Sequence, residues 1–224
     1  GAARFFLPSD KLTNPLWAPS AERIERANMT AFIRAADVGS TYAELYRWSI
    51  LHPDDFWALM WRFARVVATE HDGRDPWEEV VHGLDRMAPP DPDLGPRWFS
   101  GARLNFAENL LRYRDGHEAI VAWNESGRQR SITYAELHED VARIASALRE
   151  HGVREGDRVA GFMPNIPEAV IAMLAAASIG AVWSSCSPDF GVQGVLDRFG
   201  QIEPRILFCA DSYVYAGKRI DCLQ

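Results

Sequence analysis

The segment Ala210 to Arg219 (ADSYVYAGKR) gathers residue types that recognise a phosphorylated ligand. Lys218 and Arg219 carry positive charge that can meet a phosphate, Gly217 gives the backbone freedom beside them, and Tyr213 and Tyr215 offer rings that can stack on a base. The same residues also suit a solvated basic turn, and their pattern leaves both readings open. Elsewhere the chemistry is sparse. Ser184, Ser185, Cys186 and Ser187 lie together, but no G-x-S-x-G elbow surrounds them and no motif places a histidine as base, so small residues near a strand end explain them. His52, His71, His82, His117, His138 and His151 are scattered without H-E-x-x-H or other ligand spacing, so no metal site is expected. The chain has no Walker A loop, no G-x-G-x-x-G and no Ser/Thr/Gly-rich phosphate loop ending in lysine. No catalytic residue can be named from it.

The elements that must position the basic turn are legible from periodicity. Ala119 to Trp123 and Arg128 to Thr133 are strand-like runs joined by Asn124-Glu125-Ser126-Gly127, which predicts a hairpin. Thr133 and Glu136 form a capping box, and Leu137, Val141, Ile144, Ala145 and Leu148 make one apolar helix face that ends at Gly152. A strand over Arg158 to Met163 follows. Asn165, Pro167 and Glu168 then signal a helix start, Ala169 to Ile179 is apolar on nearly every side, and Gly180 stops it. Ala181 to Ser184 reads as a strand, Val192, Val195, Leu196, Phe199 and Ile202 as a one-faced helix, and Arg205 to Cys209 as a strand. This alternation predicts an α/β fold, a mainly parallel sheet covered by helices through right-handed crossovers. Ligands of such sheets bind beyond the C-terminal strand ends, which singles out Pro164 to Ile166, Ser185 to Gly191 and Ala210 to Arg219.

The first part of the chain reads differently. A proline-rich segment, Met87 to Pro96 (MAPPDPDLGP), forbids a helix interior and favours an extended linker. Before it the pattern is helical. Ser20 can cap one helix, and Pro53 opens another with Asp54 and Asp55 in its first turn and Phe56, Leu59, Met60, Phe63, Val66 and Val67 on one face. The aromatic stripe Phe56, Trp57, Trp61 and Phe63 could suggest a ligand platform, but aromatics at helical spacing read as packing. TYAEL occurs at Thr41 to Leu45 and again at Thr133 to Leu137 with unrelated continuations, which predicts two independent capping boxes rather than a duplication. The expected organisation is a helical region with its linker over 1–96 and an incomplete α/β domain over 97–224.

Composition narrows the function classes. Hydrophobic residues make up 47% of the 224 residues, enough for a buried core. The net charge of −7 is spread along the chain without a basic block for a phosphate backbone, which argues against a nucleic-acid partner. Cys186, Cys209 and Cys222 are odd in number and lack a CxxC, as reduced cytosolic thiols do. Gly1 to Asp10 lacks the basic start and cleavage site of a secretory signal, and the apolar run from Ala169 to Trp183 falls short of the roughly 18 residues of a membrane span. A cytoplasmic protein without a membrane partner is expected.

Three stretches, WFSGARLNFAENLL from Trp98, ITYAELHEDVARIASALREHGVREGDRVAGFMPNIPEAVIAMLAAASIGAVWSSCSPDFG from Ile132, and RFGQIEPRILFCADSYVYAGK from Arg198, carry a resemblance. Over about Ser49 to the C-terminus the chain resembles the N-terminal part of acetyl-CoA-synthetase-like, AMP-forming acyl-CoA synthetases of the adenylate-forming superfamily. GARLNFAENLL and SSCSPDFG are similar to the acetoacetate-activating branch in particular. The resemblance implies the first part of the large domain of an adenylate-forming enzyme, a ligase that uses ATP, Mg2+ and CoA. Acetoacetate would form an acyl-adenylate with release of pyrophosphate, and the CoA thiol would then displace AMP. It also implies that the phosphate loop, the adenine and ribose contacts, the Mg2+-binding acid and the adenylation lysine lie beyond Gln224. On that reading the chain is a portion of a longer enzyme, inactive by itself, with the remainder of its large domain and a mobile C-terminal domain as partners. In the family pattern two arginines in the turn matching Val214 to Arg219 approach the 3′-phosphate of CoA. Here Tyr215 stands at the first of those positions and Lys218 at the second, so the implied CoA contacts are Tyr215, Gly217, Lys218 and Arg219. The competing readings are an acetyl- or propionyl-CoA ligase and, from another class, an interaction module using the Trp-rich helices before Met87.

Overall fold

The computed structural model describes residues 17–69, 74–85 and 95–222. The N-terminal decapeptide and most of the Met87 to Pro96 linker lie outside the described residues. Among the described residues, packing separates two units, one taking in residues 17–66, 77–85 and 95–100, the other residues 67–69, 74–76 and 101–222.

In the first unit, α1 (Ala21–Glu25) is capped by Ser20, whose hydroxyl accepts the Arg23 N–H at 3.2 Å. Helices α2 (Asn28–Ala36), α3 (Tyr42–Leu51) and α4 (Pro53–Ala64) follow. Thr41 and Glu44 close a full capping box at the start of α3. Pro53 opens α4, but Arg65 takes a left-handed φ of 52° and ends it, so Val66 and Val67 fall outside the helix whose apolar face they were expected to extend. The aromatic stripe is packing. Phe32 is buried and meets Phe56 and Phe63 edge-on at 5.7 and 5.0 Å, while Trp61 lies against Trp77 and Phe99. Strands β1 (Glu79–His82) and β2 (Arg97–Ser100) pair antiparallel, an element absent from the sequence reading, which took the region before the linker as helical. Neither strand alternates between exposed and half-buried positions, so no period-two pattern marks them.

The second unit opens with α5 (Phe106–Leu110), within the GARLNFAENLL stretch. Asn105 accepts the Glu108 N–H as its cap and donates to the carbonyls of Ala177 and Ser178, while Asn109 exchanges two hydrogen bonds of 2.8 Å with the backbone of Val67. Both asparagines thus satisfy backbone groups that would otherwise be stranded at chain reversals. Strands β3 (Glu118–Asn124) and β4 (Gly127–Thr133) form the expected hairpin, with Glu125 and Ser126 at its tip. Thr133 and Glu136 then cap α6 (Tyr134–Glu150) through both bonds of the box, so the two TYAEL copies are two caps.

The parallel sheet matches expectation: β5 (Arg158–Phe162) is central, with β6 (Val182–Cys186) and β7 (Ile206–Cys209) parallel on either side. The intervening helices are α7 (Pro167–Ser178) and α8 (Val192–Ile202). The start of α7 is shifted from the sequence reading. Ile166, not Asn165, holds the cap position, because Pro167 forces its predecessor into extended backbone. Val159 and Ala160 are both fully buried but belong to different clusters, Val159 with α6 and α7, Ala160 with Cys186 and Phe199. Adjacent strand residues face opposite sides, so this pair shows apolar packing against both faces of the sheet. Coverage is unequal. Helix α7 buries six residues, whereas α8 buries only Phe199 and leaves Val192 and Leu196 exposed despite their place in its apolar pattern. The chain beyond β7 turns into a second hairpin, β8 (Ser212–Tyr215) and β9 (Lys218–Asp221), paired antiparallel. Among the described residues no helix is long and apolar enough to cross a membrane.

Candidate functional site

The basic segment read as a flexible turn is a two-stranded ribbon. Val214 pairs with Arg219 and Tyr215 with Lys218, and the turn is made by Ala216 and Gly217 at φ 50° and 69°. Two consecutive left-handed residues give a tight turn that matches strand twist, and glycine takes such a φ without strain. Alternation along paired strands places Tyr213, Tyr215, Lys218 and Ile220 on one face and Ser212, Val214, Arg219 and Asp221 on the other. The ribbon therefore brings Tyr215 and Lys218 together and sets Arg219 apart. Arg219 Nε donates to Ser212 Oγ at 3.1 Å, and its guanidinium lies 3.8 Å from Asp211. Lys218 is exposed and takes part in no ion pair among the described residues.

Two loops that the sequence kept separate meet here. The Tyr213 hydroxyl donates to Asp189 Oδ1 at 2.7 Å, and the Ser187 hydroxyl donates to Asp189 Oδ2 at 2.7 Å. The Ser187 bond, followed by the Tyr213 bond, holds the Asp189 carboxyl below its ordinary value. In return the bond to Asp189 pushes the Tyr213 phenol up to about 12. Beyond them lies an open hollow of about 270 Å³ lined by Phe162, Pro188, Phe190, Val195, Tyr213 and Ile220 among others. Arg198 lies 3.9 Å over the ring of Phe190, one of the lining residues, a cation held against an aromatic face. Tyr213 and Ile220 line this hollow from the ribbon face that also carries Tyr215 and Lys218, and Asp221 lines it as well.

A larger hollow of about 420 Å³, lined by Arg130, Asp140, Arg143, Glu168, Ile171 and Phe208 among others, is less suited to a phosphate. Its cations are already paired, Arg130 with Glu168 at 2.9 Å and Arg143 with Asp140. Pro164 to Ile166, the remaining strand-end segment, lines neither hollow.

Glu125 was missed entirely by sequence reasoning. From the β3–β4 tip its two carboxylate oxygens accept the backbone N–H groups of Ala216 and Gly217 at 2.6 and 2.7 Å. No local signal joins residues 91 positions apart. The serine and cysteine cluster supplies no activated nucleophile: Cys186 is buried, and that burial pushes its thiol up. Among the described residues, no group of three or more His, Cys, Asp or Glu side chains could hold a metal ion.

The chain can be set beside known proteins. The family model described as AMP-binding enzyme matches residues 106–222, just over half of the chain, and that described as acetyl-coenzyme A synthetase N-terminus matches residues 42–110. An acetoacetyl-CoA synthetase of Macaca fascicularis is 42% identical over 208 residues, covering 91% of this chain and 30% of that protein. An acetoacetyl-coenzyme A synthetase of Rhizobium meliloti (strain 1021) is 44% identical over 212 residues, covering 92% of this chain and 31% of that protein. The solved acetoacetyl-CoA synthetase from Streptomyces lividans superposes with a TM-score of 0.80 at 42% identity, covering 93% of this chain and 32% of that one. The chain spans about a third of the length of these proteins. With a parallel sheet packed by helices and a family match over more than half its residues, it belongs to the AMP-binding enzyme family.

Proposed function

We propose that the protein carrying this chain ligates acetoacetate to CoA at the expense of ATP, releasing AMP and pyrophosphate. The supporting observation is the 42% and 44% identity, across more than nine-tenths of the chain, to proteins named acetoacetyl-CoA synthetase from a primate and a bacterium. In the proposed reaction an acetoacetate carboxylate oxygen attacks the α-phosphorus of ATP and expels pyrophosphate, and the CoA thiol then attacks the acyl carbon and expels AMP. Residues 97–224 form the beginning of the large domain, and 1–96 a region preceding it. In this proposal Tyr215, Gly217, Lys218 and Arg219 belong to the CoA site. Lys218, free and cross-strand from Tyr215, meets the 3′-phosphate directly, while Arg219, held by Ser212 and Asp211 on the other face, adds longer-range charge. No residue of this chain is assigned to ATP or Mg2+, whose contacts the resemblance puts further along the enzyme. That division carries its own expectation: the 224-residue chain alone catalyses no acetoacetate-dependent exchange of pyrophosphate into ATP, because a positioned phosphate site is what the first step needs. The test of the whole reading is turnover by the complete gene product. Acetoacetate with ATP and CoA yields acetoacetyl-CoA and AMP, and acetate or propionate is a poorer substrate by kcat/KM. Preference for acetate or propionate would overturn the acyl assignment.

A further inference from the structure

The β8–β9 turn presents two successive amide N–H groups in left-handed backbone, an arrangement that forms a small concave site for an anion. In this structure the anion is supplied from within: the Glu125 carboxylate takes both N–H groups, one on each oxygen, at 2.6 and 2.7 Å. We propose that Glu125 is an internal competitor for the phosphate of the bound nucleotide, and that the phosphate displaces it from the Ala216 and Gly217 amides. This rests on the assignment of the turn to a 3′-phosphate and adds the residue that sets its affinity.

Ala216 and Gly217 each present a backbone N–H at the turn tip, and one carboxylate accepts both. Lys218 is next to Gly217 and free of ion pairs among the described residues, so a phosphate drawn to the ammonium arrives beside the same amides. A phosphate and a carboxylate cannot share two donors without like-charge repulsion, which at such short range is not screened by salt. Glu125 is exposed at the tip of its own hairpin, so it can swing into water when displaced. Occupancy by Glu125 then acts as a conformational tax: the apparent dissociation constant of the ligand rises by the inverse of the fraction of time the amides are open.

The test uses the 224-residue chain with adenosine 3′,5′-bisphosphate as the probe and adenosine 5′-monophosphate as the control lacking a 3′-phosphate. If the amides are open about a tenth of the time, Glu125→Ala binds the bisphosphate about tenfold more tightly than the parent, and Glu125→Asp, which keeps the charge on a shorter arm, falls between them. The control binds parent and variants alike, and amide NMR shows the bisphosphate shifting Ala216 and Gly217 in the parent. A purely structural clasp would instead lose affinity when cut, so equal or weaker binding by Glu125→Ala overturns the proposal. If Lys218→Ala abolishes binding while Glu125→Ala changes nothing, the phosphate site stands and the competitor falls. If no variant binds the bisphosphate while the complete gene product still makes acetoacetyl-CoA, the turn assignment and the competitor both fall and the activity stands.

Discussion

Three of the five residues of β5 are buried, whereas all four of β9 are exposed, although both belong to the same unit. β5 is held by side chains packed on both its faces. β9 is held by its ladder to β8 and by polar contacts such as those of Arg219 with Ser212 and Tyr213 with Asp189. The sheet is a scaffold whose strength comes from apolar area removed from water, and the ribbon is a surface device whose shape comes from individual hydrogen bonds. Damage to the two should therefore be read in different observables, stability for the first and ligand affinity for the second.

The largest effect on stability is expected in the core. Leu174 on α7 is only 2% exposed, so Leu174→Ala should destabilise the chain by about 2–5 kcal/mol, measured by chemical denaturation. The Lys218→Ala variant should unfold with the parent, and an equal loss there would break the contrast. Gly161→Ala comes next. A Cβ at Gly161 would lie 2.6 Å from the Trp183 ring, so overpacking should cost about 1–3 kcal/mol in the same assay. Thr133→Ala removes one arm of the α6 capping box and should cost about 1 kcal/mol near neutral pH. The backbone N–H and then the hydroxyl of Thr133 hold the Glu136 carboxyl below its ordinary value. A carboxyl lowered in the folded state stabilises it above the unfolded pKa and loses that contribution as pH falls through the folded one. The gap between Thr133→Ala and parent should thus narrow as the pH drops below about 4. The smallest effect is spectroscopic: Asp189→Asn should return the Tyr213 phenol from about 12 toward the ordinary value near 10, seen by ultraviolet-difference titration, without altering the sheet.

How much of this was legible in the sequence follows the same contrast. The strands and helices from Arg158 to Cys209 announce themselves because burial imposes periodicity, and a long helix such as α6 repeats its pattern often enough to be read. The pairs β1–β2 and β8–β9 have four residues per strand, and their exposed or half-exposed pattern carries no period. For the candidate site the residue types were legible and their directions were not. Lys218 and Arg219 are neighbours in sequence, yet the ribbon turns them to opposite faces, while Glu125 reaches the turn from a hairpin that the sequence gives no reason to connect with it. Asn105 and Asn109, inside the stretch that carried the resemblance, hold backbone groups in place.

The most direct test of the account is the CoA dependence of the complete gene product bearing Lys218→Ala and Arg219→Ala together. One or more charge-assisted contacts worth on the order of 1–3 kcal/mol should be lost, raising the Michaelis constant for CoA roughly five- to a hundredfold. Acetoacetate-dependent pyrophosphate exchange should be unchanged, because adenylation precedes CoA binding, and the preference for CoA over dephospho-CoA should shrink. Lys218→Ala alone should account for most of the change, since Arg219 faces the other side of the ribbon. An unchanged Michaelis constant with an undiminished preference for CoA would contradict the account and leave the β8–β9 ribbon a solvated surface hairpin.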